Sequence, residues 1–439
     1  MSTAVASHTF AVAAARDNAR ATLLRAFLAS GLMFMIGPGT LLGVVNLLQI
    51  SGRESVALIS PAWTQAHGHA LVFGWVGSFM LGIGIYSVPS TNLRARALQV
   101  GWATWALWTA GVALRWTTNV YEWQWRVLFP LSAVAELAAF VLFLHVVSSH
   151  RPAAPTAGVP SPRAWLVVVI TGVVAWLTTL LLNVGIAVEL ARHAGDPSVS
   201  HVFNQRVLVL LTWGILAPFI WGFTARWMPV LLGLPPLRVW ALFGAVAANV
   251  VGIVSVFAGF LGLGTTLAVG AAVLAVIGLR LFERPIAEAR IRGVHVRFPT
   301  FVRLAYAWLL VAAGLGAAAA HWDVAGGLWG ASRHAFTVGF VAAMVLAVGQ
   351  RMLPGFAAHR PLWSPSFMGL GLTLLMLGCV LRVSSEILAY EQYAEWAWFV
   401  LPLSGGIELA ALGIFAINLY RTLWLSHPGL DDPLVSVAS

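Results

Sequence analysis

Long, unbroken apolar runs dominate this chain, and polar positions gather between them. A helix needs about 20 apolar residues to cross roughly 30 Å of hydrocarbon. The chain offers twelve such runs: 23–49, 63–88, 95–114, 124–147, 164–190, 206–231, 237–259, 262–282, 300–320, 327–353, 363–388 and 394–420. The connections are short. The longest are a Pro/Ala-rich stretch around Pro152 to Pro162 and an Arg-rich one from Glu283 to Pro299. Neither could house a soluble domain, and a strand barrel would show alternating segments of ~10 residues instead. The pattern predicts an all-α, polytopic membrane protein of twelve transmembrane helices. It forms one domain over 23–420, flanked by cytoplasmic tails at 1–22 and 421–439. The first run exceeds a signal-peptide core and lacks an obvious small-residue cleavage site, so it is expected to be retained.

Composition removes the soluble alternative. Of 439 residues, 60% are hydrophobic and 9% charged, against about 25% charged in soluble domains. All 25 basic residues are arginine, and the net charge is +10. With the N-terminus in the cytoplasm, eighteen arginines fall inside and seven outside: Arg53, Arg115, Arg126, Arg192, Arg206, Arg333 and Arg382. The positive-inside rule therefore places both termini in the cytoplasm, and the charge reports orientation, not a nucleic-acid partner. The 21 tryptophans lie mostly near span ends, as an interfacial belt. The single cysteine, Cys379, excludes an internal disulfide, a CxxC pair, a thiolate zinc site and covalent CxxCH haem attachment.

The chain repeats itself. His69-Ala70, Gly74, Val76, Leu81, Gly84 and Pro89 recur as His334-Ala335, Gly339, Val341, Leu346, Gly349 and Pro354, at an offset of 265. Gly111, Leu114 and Arg115 recur as Gly378, Leu381 and Arg382. Pro130-Leu131-Ser132 and Glu136-Leu137-Ala138-Ala139 recur as Pro402-Leu403-Ser404 and Glu408-Leu409-Ala410-Ala411. Helices two to four thus reappear as ten to twelve. A fainter copy in the sixth helix aligns Gly214, Arg226 and Pro229 with Gly339, Arg351 and Pro354, with Val209 at the histidine position. Three quasi-equivalent groups of four helices are the expected architecture.

In this topology His69 and His334 lie at one depth, about two turns below the outer surface. Two imidazoles in an apolar slot suit the axial positions of a haem iron, and a glycine five residues beyond each is expected to leave room for a flat ligand. His67 lies two residues from His69, roughly 200° round the helix, so it would serve a second metal or haem or cap the helix. Arg115, Arg333 and Arg382, on the same side, are candidates for a haem's propionates because guanidinium matches carboxylate. Glu136 and Glu408 sit near the midplane, each four residues after a serine placed to hydrogen-bond it, as structural groups or proton-relay members. His193, His201 and His321 are a candidate copper set, since imidazole suits copper.

These residues also carry a resemblance. Ala66-His67-Gly68-His69-Ala70-Leu71-Val72-Phe73-Gly74-Trp75 resembles the second-helix histidine motif of NnrS proteins. Arg333-His334-Ala335-Phe336-Thr337-Val338-Gly339, continuing through Met344, Leu346, Ala347 and Arg351 to Arg360-Pro361-Leu362, resembles their most characteristic motif. Ala70 stands where many relatives have an acidic residue. The resemblance implies a bacterial inner-membrane protein of nitric oxide metabolism and nitrosative-stress resistance, with haem b (one or two) and copper as cofactors. It further implies nitric oxide or another small diatomic as ligand, and an electron donor that the sequence does not name. More distantly, the layout is similar to subunit I of haem-copper oxidases and nitric oxide reductases. Those enzymes draw the histidines of a second metal from helices six and seven, and 206–231 and 237–259 contain none. A nitric-oxide- or oxygen-reducing oxidoreductase is therefore the alternative reading. A secondary transporter built on repeats, with Glu136 and Glu408 at its midplane, is a further one.

Overall fold

The computed structural model describes residues 2–88, 95–148, 164–358 and 360–425, with side chains from Ala15 onward. Pro89 and the stretch from Pro152 to Pro162, named above, lie outside the described residues. The described chain is helical, in the order α1 (Ala15–Arg53), α2 (Pro61–Tyr86), α3 (Ala95–Tyr121), α4 (Trp125–Ser148), α5 (Ala164–His193), α6 (His201–Leu232), α7 (Val239–Phe257), α8 (Leu261–Leu279), α9 (Phe298–Trp322), α10 (Gly327–Ala357), α11 (Pro365–Tyr390) and α12 (Ala397–Trp424). Among the described residues, eleven helices are long and apolar enough to cross a membrane. The exception is α3, 27 residues long, whose length suffices but whose Arg96, Gln99, Arg115 and Asn119 dilute its apolar character. The helical backbone before α1 runs back to Ser2, so the N-terminal tail continues the first helix.

Local chemistry sets the helix ends. Ser60 and Ser364 accept hydrogen bonds from the Trp63 and Phe367 amides, each with proline in the first turn behind it, which satisfies an otherwise orphaned donor. Arg20, buried at the start of α1, donates to the Tyr86 and Val88 carbonyls and lies 4.8 Å over the Tyr86 ring. That contact ties α1 to the end of α2. Side chains such as Val250, Val254 and Phe399 face outward, an apolar surface suited to lipid.

The pairings of α3 with α4, α7 with α8, and α11 with α12 are among the extensive ones. Each has a glycine at its closest approach. A Cβ at Gly111 would lie 3.1 Å from the Ser132 carbonyl oxygen and 3.2 Å from the Glu136 nitrogen. At Gly378 it would lie 3.4 Å from Ser404 O and 3.3 Å from Glu408 N, and at Gly252 3.0 Å from Gly264 O and 3.8 Å from Ala268 N. Small residues that admit a neighbouring backbone are the usual device for packing helices in lipid. The second contact marker is a π-helical turn: Ala70–Gly77 in α2, Leu210–Leu216 in α6 and Ala335–Ala342 in α10, beginning directly after His69, Val209 and His334. A further π turn, Met35–Leu41, bends α1 around Pro38. Such turns cluster at functional sites.

Glycines in those π turns correct one expectation. The space beside Gly74 is filled by Phe34 of α1, and that beside Gly339 by Trp308 of α9, with a Cβ placed 2.7 and 2.5 Å from their side chains. Gly214 meets Ala175 of α5 at 3.2 Å. These glycines seat an aromatic or apolar neighbour and hold no slot for a flat ligand, because in a tightly packed bundle the missing Cβ is taken up by the adjacent helix.

The Arg-rich connection between α8 and α9 is anchored to the end of α6. Ile286 and Arg290 amides donate to the Gly233 and Leu231 carbonyls, both at 2.8 Å. Gly233 has φ +65°, and a Cβ there would lie 2.1 Å from the Ala287 carbonyl oxygen. Gly233→Ala is expected to cost at least about 1 kcal/mol from the left-handed backbone alone and to free the connection. Trypsin should then cut the variant after Arg290 or Arg292 well before it cuts wild type; equal digestion rates would show the anchor to be unimportant.

Candidate functional site

Two buried histidine–carboxylate–arginine sets stand out. In the first, His69 Nε2 lies 2.8 Å from Glu136 Oε1, with side chains only 8% and 2% exposed. The His69 ring is stacked on Phe73 at 4.6 Å, with 14° between the planes. Arg115 is buried with its guanidinium 3.7 Å over the Phe129 ring, within electrostatic reach of Glu136.

In the second, His334 Nδ1 is 2.9 Å from the Gly330 carbonyl oxygen and 2.8 Å from Glu386 Oε2. An Nδ1–H donated to either acceptor fixes the tautomer and leaves Nε2 with its lone pair. That Nε2 lies 3.3 Å from an Arg382 nitrogen, and Arg382 approaches the other Glu386 oxygen at 3.6 Å. The His334 side chain is 25% exposed while Glu386 is 3%, so the imidazole is held from behind and reachable in front. Arg382 Nη1 and Glu408 Oε1 are buried without a hydrogen-bond partner among the described residues.

The two sets share a frame but choose different acids. Glu136 and Glu408 hold equivalent places beside Gly111 and Gly378, and His69 takes Glu136. His334 instead takes Glu386, one helix earlier, which leaves Glu408 unpaired. The serines thought to bond these acids turn away. Ser132 and Ser404 donate to the Phe129 and Leu401 carbonyls at 2.7 and 2.6 Å, because a hydroxyl within a helix reaches its own preceding turn most easily.

The histidines are grouped differently from the expected pair. His69 and His334 engage separate carboxylates on α4 and α11. His67 points to α1, where its Nδ1 lies 2.9 Å from the Gly39 carbonyl oxygen and Gly43 leaves room for its ring. It is His67 that lies within electrostatic reach of His334 and Arg382. Arg333 donates to Gln205 Oε1 on α6 while remaining within electrostatic reach of Glu386. Of the three arginines expected near one ligand, only Arg382 therefore stands at His334. His193, His201 and His321 are not gathered: His193 pairs weakly with Glu189, His201 meets Gln205, and His321 packs on Gly262. Among the described residues no three His, Cys, Asp or Glu side chains converge as a metal site.

Glu386 is the residue that sequence reasoning missed. It carried a usable signal: an acid inside an apolar span, four residues after a repeat-matched arginine, where i,i+4 side chains meet.

Fold and site together define a multi-pass helical membrane protein with two buried histidine–carboxylate–arginine sets. The family model described as NnrS protein matches residues 23–426, nearly the whole chain, and the chain belongs to the NnrS family. No curated protein matches it.

Proposed function

We propose that this protein binds haem b in a bacterial inner membrane and acts in nitric oxide metabolism and protection from nitrosative stress. It would span the membrane twelve times, α3 included, with both termini cytoplasmic and the helices in three quasi-equivalent groups of four. The recurring Gly111, Gly252 and Gly378 contacts and the π turns at every fourth helix support that grouping. The observation that carries the functional reading is the His334 imidazole, pinned at Nδ1 and presenting Nε2 beside a buried arginine with an unpartnered N–H.

That arrangement fits a haem. A ligating histidine commonly donates its second nitrogen to a carboxylate or carbonyl, which orients the ring and raises its basicity. A buried guanidinium with one nitrogen left unpartnered suits a propionate. A bare divalent cation would fit less well beside Arg382, since like charges repel strongly where water is excluded. Bound haem supplies an iron able to exchange electrons and to take a diatomic ligand such as nitric oxide, with an electron donor as partner. The residues of this chain hold and orient it. His334 would be one iron ligand and Arg382 the propionate partner. His67 fits as a second ligand, because its Nδ1 is engaged by Gly39 and it lies within electrostatic reach of His334 and Arg382. His69 fits that role poorly, with Nε2 committed to Glu136 and its face covered by Phe73. With no convergent donor set, no residues are assigned to copper.

The test is the reduced-minus-oxidised spectrum of the detergent-purified protein. Haem b absorption is expected in wild type, lost in His334→Ala and His67→Ala, and retained in His69→Ala. Full haem content in His334→Ala overturns the reading; loss in His69→Ala but not His67→Ala would restore the His69–His334 pair.

A further inference from the structure

The arginine-rich connection between α8 and α9, which the haem reading leaves unused, lines a cavity. Arg290, Arg292 and Arg351, with Glu288, Ala289 and Ile291, enclose about 690 Å³ at the inner end of α10. Arg351 Nε is buried without a hydrogen-bond partner among the described residues, and Arg290 stands close enough to act on it electrostatically. Two guanidiniums held together repel unless an anion lies between them.

The nearby acids do not meet this need. Glu283 is committed to Arg238 and Arg280, at 3.0 and 2.5 Å. The hydrogen bond from Arg280 holds the Glu283 carboxyl below its ordinary range, so it stays ionised and occupied there. Among the described residues, Glu288 is the acid that lines the cavity, and it is exposed. The arrangement is also fixed in place, since the backbone of Arg290 is hydrogen-bonded to the end of α6.

The repeat sharpens the contrast. Arg226 of α6 holds the position equivalent to Arg351, and its guanidinium is covered by Trp165 and Trp227 at 4.3 and 5.1 Å. Among the described residues no aromatic ring covers Arg351, which lines the cavity instead. Those tryptophans, with Trp363 beneath Arg421, mark the depth at which aromatic residues meet lipid headgroups. Arg351 holds the repeat position of Arg226, which relates the cavity to that depth, and Ala289 and Ile291 add apolar wall beside the arginines.

We infer that this cavity binds the phosphate of an anionic phospholipid headgroup. Guanidinium groups match phosphate oxygens in pairs, and basic pockets at the cytoplasmic ends of helices are suited to such lipids. The lipid source is favoured over free phosphate because the site lies at headgroup depth and has an apolar flank.

The full-length protein in neutral detergent would be titrated with phosphatidylglycerol, phosphatidylcholine and inorganic phosphate, reading thermal stability and, by native mass spectrometry, retained lipid. Phosphatidylglycerol is expected to bind and stabilise, and the other two to do neither. The double variant Arg290→Gln/Arg351→Gln should weaken phosphatidylglycerol binding about 25-fold, from about fivefold per arginine. Arg284→Gln/Arg297→Gln, with the same charge change outside the cavity, should leave it within about twofold. Should the first double variant not fold, Arg290→Gln alone, in an exposed connection, is expected to lose about fivefold. Equal stabilisation by phosphatidylcholine, equal weakening by the two double variants, or stabilisation by inorganic phosphate at matched concentration would each overturn the assignment.

Discussion

Glu386→Ala is expected to destabilise the protein by about 3–5 kcal/mol, the cost of removing one partner of a buried ion pair. Glu386 is 3% exposed and bridges His334 and Arg382. Without it, a guanidinium stays buried with no carboxylate in contact, and Arg382 Nη1 already lacks a partner. The same change unfastens the His334 ring, and losing such an outer partner typically weakens metal binding 10–100-fold. Stability and haem content should therefore fall together, read by thermal unfolding in detergent and by the haem spectrum. Arg382→Met/Glu386→Leu separates the two effects. Replacing both charges by apolar groups should recover most of the stability while haem remains lost. A Glu386→Ala protein as stable as wild type would show that the carboxylate carries no such burden.

The second large effect concerns the three glycine contacts. Gly111→Ala, Gly252→Ala and Gly378→Ala should each destabilise by about 1–3 kcal/mol, the usual range for inserting volume into a filled core. The new methyl would sit 2.8 Å from Glu136 Cγ at the first site and 2.7 Å from Glu408 Cγ at the third, and press the Gly264 carbonyl at the second. The helices must separate, since backbone atoms lie behind those contacts and cannot swing aside. Unfolding of the three variants under one set of detergent conditions checks this. A variant that matches wild type while another loses several kcal/mol would break the proposed equivalence of the three groups.

Much of the fold was legible because spans announce themselves by length and apolarity, which need no partner to be read. The outer repeats were legible where ionisable residues survive in both copies, as at His69 and His334 or Glu136 and Glu408. The middle copy was nearly invisible, since its counterparts are Val209, Val256 and Ala268, residues common in any apolar helix. Which acid each histidine takes was not legible at all. That choice depends on how α4 and α11 are rotated against α2 and α10, a property of packing that spacing along one helix does not encode. The glycines after His69 and His334 misled for a related reason. A missing side chain signals that something approaches closely, and Phe34 and Trp308 were the neighbours, not a cofactor.

In the proposed grouping, the middle helices make a similar close approach at Gly252 and carry a π turn in α6, with valine and alanine where the outer ones carry histidine, arginine and glutamate. The scaffold therefore stands without buried charge. His69, Arg115 and Glu136, and likewise His334, Arg382 and Glu408, are loads placed on a frame that would be more comfortable without them. In a bilayer, ionisable groups of this kind are costly and mark function, so the apolar copy serves as an internal blank against which the chemistry of the other two can be judged.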